Sequence, residues 1–116
     1  MNGYLFYSRA DAAQNRIWID TAERWGEPQA NKYILGLHAH LEQLSKAKAL
    51  WRRLPKNLVA PADSETSIFL SRYERHYIFF RELPSGKIGV MSILHERMDL
   101  PVRLKEDLTS IIARPR

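Results

Sequence analysis

Five side chains in the second half of the chain have the types that a ribonuclease active site requires. Cleavage of RNA by its own 2′-hydroxyl needs a base for that hydroxyl, an acid for the leaving oxygen and cations for the phosphate. Side chains of these types are Arg75, His76, Tyr77, His95 and Arg97. The alternative is structural, with His95 and Arg97 holding the exit of the chain from a sheet through hydrogen bonds and a pair with Asp99 or Glu74. The sequence defines no complete acid–base pair, so we assign no catalytic residue and expect no enzyme.

Metal and cofactor chemistry has little support in the sequence. The chain has no cysteine, which excludes a disulfide framework and a thiolate zinc site. His38 and His40 are two positions apart in a helical pattern, so their side chains point in different directions. His76 and His95 are predicted to face each other, but a zinc ion would need a third ligand. We therefore expect neither a metal nor a cofactor.

The candidate side chains belong to a predicted β-hairpin. Residues 77–80 are aromatic and β-branched, and residues 88–94 alternate in type. Pro84 and Gly86 lie between these segments, as a tight turn requires. We centre the turn on Ser85 and Gly86. The resulting register pairs His76 with His95, Ile78 with Ile93, and Phe80 with Met91.

The two faces of this hairpin differ in character, because side chains alternate along a strand. The face predicted to lie on the core consists of Ile78, Phe80, Met91 and Ile93. The opposite face, predicted to be open, carries Arg75, Tyr77, Phe79, Arg81, Ser92, Leu94 and Glu96. Arginine and aromatic side chains supply most of the binding energy at protein interfaces, so we expect the open face to contact a target.

The rest of the chain predicts further strands and helices around the hairpin. Residues 4–7 form a strand, Ser8 caps a helix that runs to about residue 25, and Gly26 ends it in the left-handed conformation. Pro28 opens a second helix that reaches about residue 51, to judge from the 3–4 spacing of its apolar residues. Residues 55–65 form a loop and residues 66–73 a strand, with Ile68 and Leu70 on one face. Residues 102–112 have an amphipathic pattern.

The order of these elements predicts a two-layer α+β fold. An N-terminal strand is followed by an antiparallel helical hairpin packed on one face of a mostly antiparallel sheet, in the order β-α-α-β-β-β. Neither helix is apolar on all sides, so both must pack against the sheet. With 116 residues and 45% hydrophobic content, the chain forms a single domain, residues 1–116.

The chain is basic, with a formal net charge of +5 at pH 7. The excess lies in Lys46, Lys48, Arg52, Arg53 and Lys56. Such a surface suits an acidic protein or a nucleic acid, although cations also collect at helix C termini because of the helix dipole. No apolar run is long enough for a membrane span and no signal segment is recognisable, so we expect a soluble cytoplasmic protein.

Three segments together resemble the RelE/ParE toxin superfamily, and its ParE branch most closely. They are residues 17–26, IWIDTAERWG, followed by Gln29, Ala30 and Tyr33; residues 75–81, RHYIFFR; and residues 93–99, ILHERMD. The resemblance implies the toxin of a type II toxin–antitoxin system. ParE members act on DNA gyrase, whereas RelE members cleave mRNA on the ribosome. Relatives usually enter the first hairpin strand through a turn that contains Gly and Arg, and residues 62–66, ADSET, contain neither.

The resemblance further implies two binding surfaces on this chain. For the target, DNA gyrase, we predict Arg75, Tyr77, Arg81, His95 and Arg97. For a ParD-like antitoxin we predict Trp18, Trp25, Lys46, Arg52 and Arg53. The antitoxin would bring an acidic segment that orders on binding, form a hetero-oligomer with the toxin and make any contact with DNA.

Three alternatives to these expectations stay open. Trp18, Trp25 and Trp51 would be core and edge residues between helices and sheet if they did not form an apolar surface for the antitoxin. The protein would be a ribosome-dependent or free mRNA endoribonuclease if it followed the RelE branch. It would be a toxin-derived module if it bound only its antitoxin.

Overall fold

A computed structural model describes residues 3–54 and 68–112, and the predicted loop at residues 55–65 lies outside these ranges. The helices are α1 (Ser8–Trp25), α2 (Glu27–Lys46) and α3 (Leu100–Ile112), with one 3-10 turn at Lys48–Leu50. The strands are β1 (Tyr4–Phe6), β2 (Arg52–Arg53), β3 (Phe69–Tyr73), β4 (His76–Glu82) and β5 (Ile88–His95). The predicted α+β class is confirmed.

The strands form one mixed sheet in the order β1-β5-β4-β3-β2. β1 runs parallel to β5, and the other three neighbouring pairs are antiparallel. A parallel neighbour needs a long crossover connection, and α1 and α2 supply it between β1 and the rest of the sheet. The mostly antiparallel sheet that the sequence predicts is therefore present, with one short edge strand, β2, that was not predicted.

The helical hairpin forms as predicted, with two corrections at its ends. Gly26 ends α1 with a φ of 93°, a left-handed value that favours glycine. Ser8 is the first residue of α1 and not its cap, because Tyr7 still donates to Val90 of β5 at 2.9 Å and its carbonyl accepts from Asp11. The cap position therefore falls on Tyr7, which makes no side-chain capping bond.

Helix α2 ends at Lys46, about five residues before the predicted end. The indole of Trp51 donates to the carbonyl of Leu44 at 2.8 Å, in the last turn of the helix, where the N–H of Ala47 donates to the same oxygen at 3.2 Å. The same ring packs against Phe69 and Phe80, with centroids 5.1 and 5.3 Å away. With Trp51 packed on the sheet, the chain leaves the helical path after Lys46 and continues into β2.

The predicted register of the hairpin is correct in the half far from its turn and wrong in the half next to the turn. His76 opposes His95 and Ile78 opposes Ile93, as predicted, but Phe80 opposes Val90 and not Met91. Phe79 pairs with Ser92 and Phe80 with Val90, so a bulge at this point shifts the pairing by one residue of β5. From there to the turn, the side chains of β5 lie on the face opposite to the predicted one. The core under α1 and α2 accordingly consists of Ala10, Leu37, Leu41, Leu44, Ile78, Phe80, Ile88, Val90 and Ile93.

The opposite face of the sheet is covered, which corrects the prediction of an open face. The predicted amphipathic segment forms α3 and packs on it, giving a second core of Ile68, Phe79, Met91, Leu94, Leu104 and Leu108. The buried Ser92 hydroxyl donates to Asp107 of α3 at 2.6 Å. Burying a leucine contributes about 1.5–3 kcal/mol, so Leu104 and Leu108 hold α3 against the sheet. Phe79, Ser92 and Leu94 are therefore core residues.

Candidate target-binding surface

One end of the sheet collects four of the five side chains predicted to contact the target. The turn between β3 and β4 contains Glu74 and Arg75, and β5 ends at His95. These two places are adjacent, because the N–H of Glu96 donates to the carbonyl of Arg75 at 2.8 Å. We call residues 72–77 and 94–98 the arginine end of the sheet. It contains Arg75, Tyr77, His95 and Arg97.

A half-buried histidine, His76, ties the arginine end to α2. The Nδ1 atom of His76 lies 2.7 Å from the hydroxyl of Tyr33, and its ring meets that of His95 edge-on with centroids 5.0 Å apart. Burial, together with the neighbouring His95, lowers the pKa of His76 to about 4. Burial also raises the pKa of Tyr33 to about 12. Both groups are neutral near pH 7, so His76 serves as a hydrogen-bonding group and is a poor general acid.

His95 is oriented by the turn that follows it. The backbone N–H of Arg97 donates to its Nδ1 atom at 3.1 Å, and the N–H of Met98 donates to its carbonyl at 3.0 Å. A neutral imidazole that accepts at Nδ1 carries its proton on Nε2, so His95 can donate a hydrogen bond to a ligand. Arg97 is exposed, and its guanidinium pairs with no carboxylate within residues 3–54 and 68–112.

Glu96 lies between two arginines, Arg72 and Arg75, at the turn that joins β3 to β4. Its carboxylate accepts from Nη2 of Arg72 and lies 3.7 Å from Nη1 of Arg75. Arg72 also donates through Nε to the carbonyl of Glu74 at 2.9 Å, and its guanidinium lies 5.4 Å from the centre of the Tyr77 ring. These contacts join three separate strand ends into one charged network.

Sequence reasoning missed Arg72 and the pairing role of Glu96. Arg72 belongs to β3, and its side chain reaches the hairpin only because Tyr73 pairs with His76 across a two-residue turn. The sequence did contain a signal, since Glu74 and Arg75 are polar residues between two strand-like segments. Glu74 adopts a φ of 53°, a left-handed value that the pattern alone does not reveal.

Arg81 is separated from the other predicted target residues. It lies six positions along β4 from Arg75, a distance of about 20 Å in an extended strand. Its guanidinium packs 5.3 Å from the centre of the Tyr7 ring, and among the described residues its buried Nε atom has no partner. Arg81 thus takes part in packing at the opposite end of the hairpin.

The two tryptophans predicted to bind the antitoxin have different environments. Trp18 donates from its indole to Oδ1 of Asn31 at 2.9 Å and thereby links α1 to α2. Trp25, at the end of α1, is 72% exposed. Trp18 therefore has a role within the helical hairpin, whereas the ring of Trp25 is largely exposed to solvent.

The basic residues predicted to bind the antitoxin lie at the other end of α2. Lys46 pairs with Glu42 at 3.2 Å, and Arg52 and Arg53 are exposed on the edge strand β2. Helix α2 separates Trp25 from Lys46 by roughly 30 Å, given its length and a rise of about 1.5 Å per residue. An antitoxin segment that contacts both groups must therefore be long and extended along the molecule.

The two remaining histidines hold helices to the sheet. His38 lies 2.8 Å from the hydroxyl of Tyr4 and 2.8 Å from Oε1 of Gln14, and His40 lies 2.9 Å from the hydroxyl of Ser71. Over residues 3–54 and 68–112, no three His, Cys, Asp or Glu side chains are grouped as a metal site would require. None of the helices in the described part of the chain is long and apolar enough to cross a membrane.

Comparison with known proteins gives consistent matches over most of the chain. Residues 4–100 match the family model described as the ParE toxin of the type II toxin–antitoxin system parDE. Toxin ParE of Escherichia coli is 30% identical over 108 residues, which cover 93% of this chain and 98% of that protein. Toxin ParE1 of Mycobacterium tuberculosis H37Rv is 29% identical over 97 residues, which cover 84% and 92%.

A solved structure has the same fold at low sequence identity. It is titled "Chromosomal ParDE TA system from P. aeruginosa" and superposes with a TM-score of 0.60 at 14% identity. The superposition covers 82% of this chain and 96% of the other. At this identity the similarity concerns the fold alone.

Proposed function

This chain belongs to the ParE toxin family of type II toxin–antitoxin systems, and we propose that it inhibits growth by binding DNA gyrase. The observation that carries the proposal is the family match over residues 4–100, a range that includes the whole arginine end. Basic and aromatic side chains at that end, above all Arg75, Tyr77, His95 and Arg97, would make the contact. Such residues commonly anchor protein interfaces.

Binding without bond cleavage is the mode of action that the side-chain chemistry favours. A ribonuclease needs a proton donor near its working pH, and the pKa of His76 is lowered to about 4. The Nδ1 atom of His76 also lies 2.7 Å from the hydroxyl of Tyr33, so this nitrogen is already engaged within the chain. These features argue against the RelE-like alternative and in favour of a toxin that is not an enzyme.

Inhibition of supercoiling is the direct test of this proposal. Purified protein is added to DNA gyrase, ATP and relaxed plasmid, and the topoisomers are resolved on a gel. We expect loss of supercoiled product and accumulation of linear DNA after denaturation with detergent and protease. A parallel reaction contains mRNA with and without ribosomes. Full supercoiling together with cleavage of mRNA at defined positions would replace the proposal with the endoribonuclease.

Neutralisation is assigned, as part of the same proposal, to a ParD-like antitoxin in the cytoplasm. The antitoxin would form a hetero-oligomer with this chain and would make any contact with DNA. Exposed Trp25 and the cations of β2 offer an apolar and a basic contact for an acidic segment. Segments of this kind are disordered when free and fold on binding.

The antitoxin part of the proposal is tested separately with the product of the adjacent gene. The circular dichroism spectrum of the mixture should show more ordered secondary structure than the sum of the two separate spectra. Calorimetry should show a negative heat-capacity change on binding. A Trp25→Ala variant should bind about tenfold more weakly. Equal spectra for the mixture and the sum would exclude ordering on binding.

A further inference from the structure

The carboxylate of Glu96 occupies a site built from three neighbouring side chains. Arg72 approaches it from the end of β3 and Arg75 from the turn between β3 and β4, and the hydroxyl of Tyr77 lies 3.5 Å from Nη1 of Arg72. We call Arg72, Arg75 and Tyr77 the arginine cradle. Its occupant is supplied by the chain itself, from the turn that follows β5.

Arg72 is oriented independently of the occupant of the cradle. The Nε–H of Arg72 donates to the carbonyl of Glu74 at 2.9 Å, and the guanidinium lies 5.4 Å from the centre of the Tyr77 ring. The backbone bond from Glu96 to the carbonyl of Arg75 keeps the two turns together at 2.8 Å whatever the side chain of Glu96 does. Removal of the Glu96 carboxylate therefore leaves an anion site with its arginine already oriented.

The hold on Glu96 is weak enough to be exchanged. The side chains of Arg72 and Arg75 are 51% and 67% exposed, so water competes for both guanidinium groups. The contact of Arg72 with the carboxylate is close, whereas Arg75 lies 3.7 Å from it, which is long for an ion pair. Exposed ion pairs of this kind contribute little to stability. An external carboxylate that brings additional contacts can replace Glu96 without unfolding the turn.

We propose that the arginine cradle receives an Asp or Glu side chain of the target, and that Glu96 is its internal competitor. This inference rests on the proposed function, because the target that it names is gyrase. A carboxylate on a protein segment is favoured over a phosphate, since a carboxylate of that kind is what the cradle already holds. Met98 lies two residues after Glu96 in the sequence and is 44% exposed. It offers an apolar contact that a protein partner would use and a nucleic-acid backbone would not.

The first experiment measures the chemistry of the cradle with a simple probe. Hexaglutamate is titrated into the isotopically labelled full chain, and the Arg Nε–H signals are followed by NMR at fixed salt. We expect Glu96→Gln to bind the probe about two- to fivefold more tightly than wild type, because the competing carboxylate is gone. Glu82→Gln is the matched control. It removes the same charge from a residue that pairs with Lys48 at 2.8 Å, and it should bind as wild type does.

The second experiment asks whether the cradle serves the target. In the supercoiling assay Glu96→Gln should inhibit gyrase at a lower concentration than wild type, by the same two- to fivefold, whereas Glu82→Gln should not differ. Melting temperatures of all variants are recorded, and Arg72→Ala provides a second variant that should lose probe binding if Glu96→Gln proves unstable.

The outcomes separate this inference from the proposed function. Equal probe binding by Glu96→Gln and Glu82→Gln would overturn the cradle, even if wild type inhibits gyrase. Tighter binding of oligothymidylate than of hexaglutamate would assign the cradle to a nucleic acid. Tighter binding of hexaglutamate by Glu96→Gln, together with unchanged inhibition of gyrase, would show that the target does not use the cradle. Absence of any inhibition by wild type would refute the proposed function and the assignment to gyrase together.

Discussion

The two faces of the sheet are buried by different parts of the chain. One face lies under the helical hairpin formed by α1 and α2, which directly follows β1. The other lies under α3, which the chain reaches only after the last strand. Each face has its own apolar core and its own polar tie to a helix, from Tyr33 to His76 on one side and from Asp107 to Ser92 on the other. Strand alternation assigns side chains to faces but does not show what covers each face.

Truncation of one phenylalanine on each face tests whether both are true cores. Phe79 and Phe80 are neighbours in β4, point to opposite faces and are both fully buried. We expect Phe79→Ala and Phe80→Ala each to lower the free energy of unfolding by about 3–5 kcal/mol. Urea denaturation measures both. A loss below about 1 kcal/mol in Phe79→Ala alone would mean that α3 does not bury its face.

Removal of the polar tie under α3 should have a smaller effect. Ser92→Ala deletes a buried hydroxyl that donates to Asp107, and a hydrogen bond to a charged group contributes about 1.5–3 kcal/mol. We expect a loss of about 2 kcal/mol in urea denaturation. Ser85→Ala, in the exposed hairpin turn, is the control and should change stability by less than about 0.5 kcal/mol. Equal stability of the two variants would contradict the docking of α3 through this bond.

The polar tie under the helical hairpin should make stability depend on pH. The pKa of His76 is about 4 in the folded chain, against 6.5 for an ordinary histidine, so the unfolded state takes up a proton first as the pH falls. The stabilisation is complete above pH 6.5 and is lost as the pH falls towards about 4. We expect a loss of roughly 1–2 kcal/mol, because solvent that reaches the ring screens part of the effect.

Urea titrations at several pH values measure this loss. His40 contributes with the same sign, because burial lowers its pKa as well. In His76→Gln the dependence between pH 6.5 and 4 should flatten but not vanish. An unchanged slope in that variant would show that another group titrates.

Local patterns predicted the helical hairpin and the outer half of the β-hairpin. The apolar spacing of α2 and the turn at Gly26 depend on neighbours in sequence, and so does the pairing of His76 with His95. The bulge after Phe79 depends instead on packing across the sheet, where Val90 fits under the helices and Met91 fits under α3. The early end of α2 has the same origin, because Trp51 contacts Phe69 and Phe80, which lie far along the chain.

The candidate site could be predicted only in part for a related reason. Side-chain type identified Arg75, Tyr77, His95 and Arg97, and the hairpin register brought them to one end. The contribution of Arg72 depends on β3 and on the left-handed backbone at Glu74. The position of Arg81, about 20 Å away along the strand, could not be distinguished by alternation, since it shares a face with Arg75 and Tyr77.

Gyrase inhibition by two arginine variants tests the central claim most directly. The claim is that the arginine end, and not the whole strand face, contacts the target. Arg75→Ala combined with Arg97→Ala should fold normally, since both side chains are exposed, and should raise the inhibitory concentration at least about tenfold. Arg81→Ala removes the same type of side chain and should inhibit supercoiling as wild type does. Loss of the contact with Tyr7 should lower its stability only slightly. Full inhibition by the double variant, or loss of inhibition in Arg81→Ala at an unchanged melting temperature, would contradict the account.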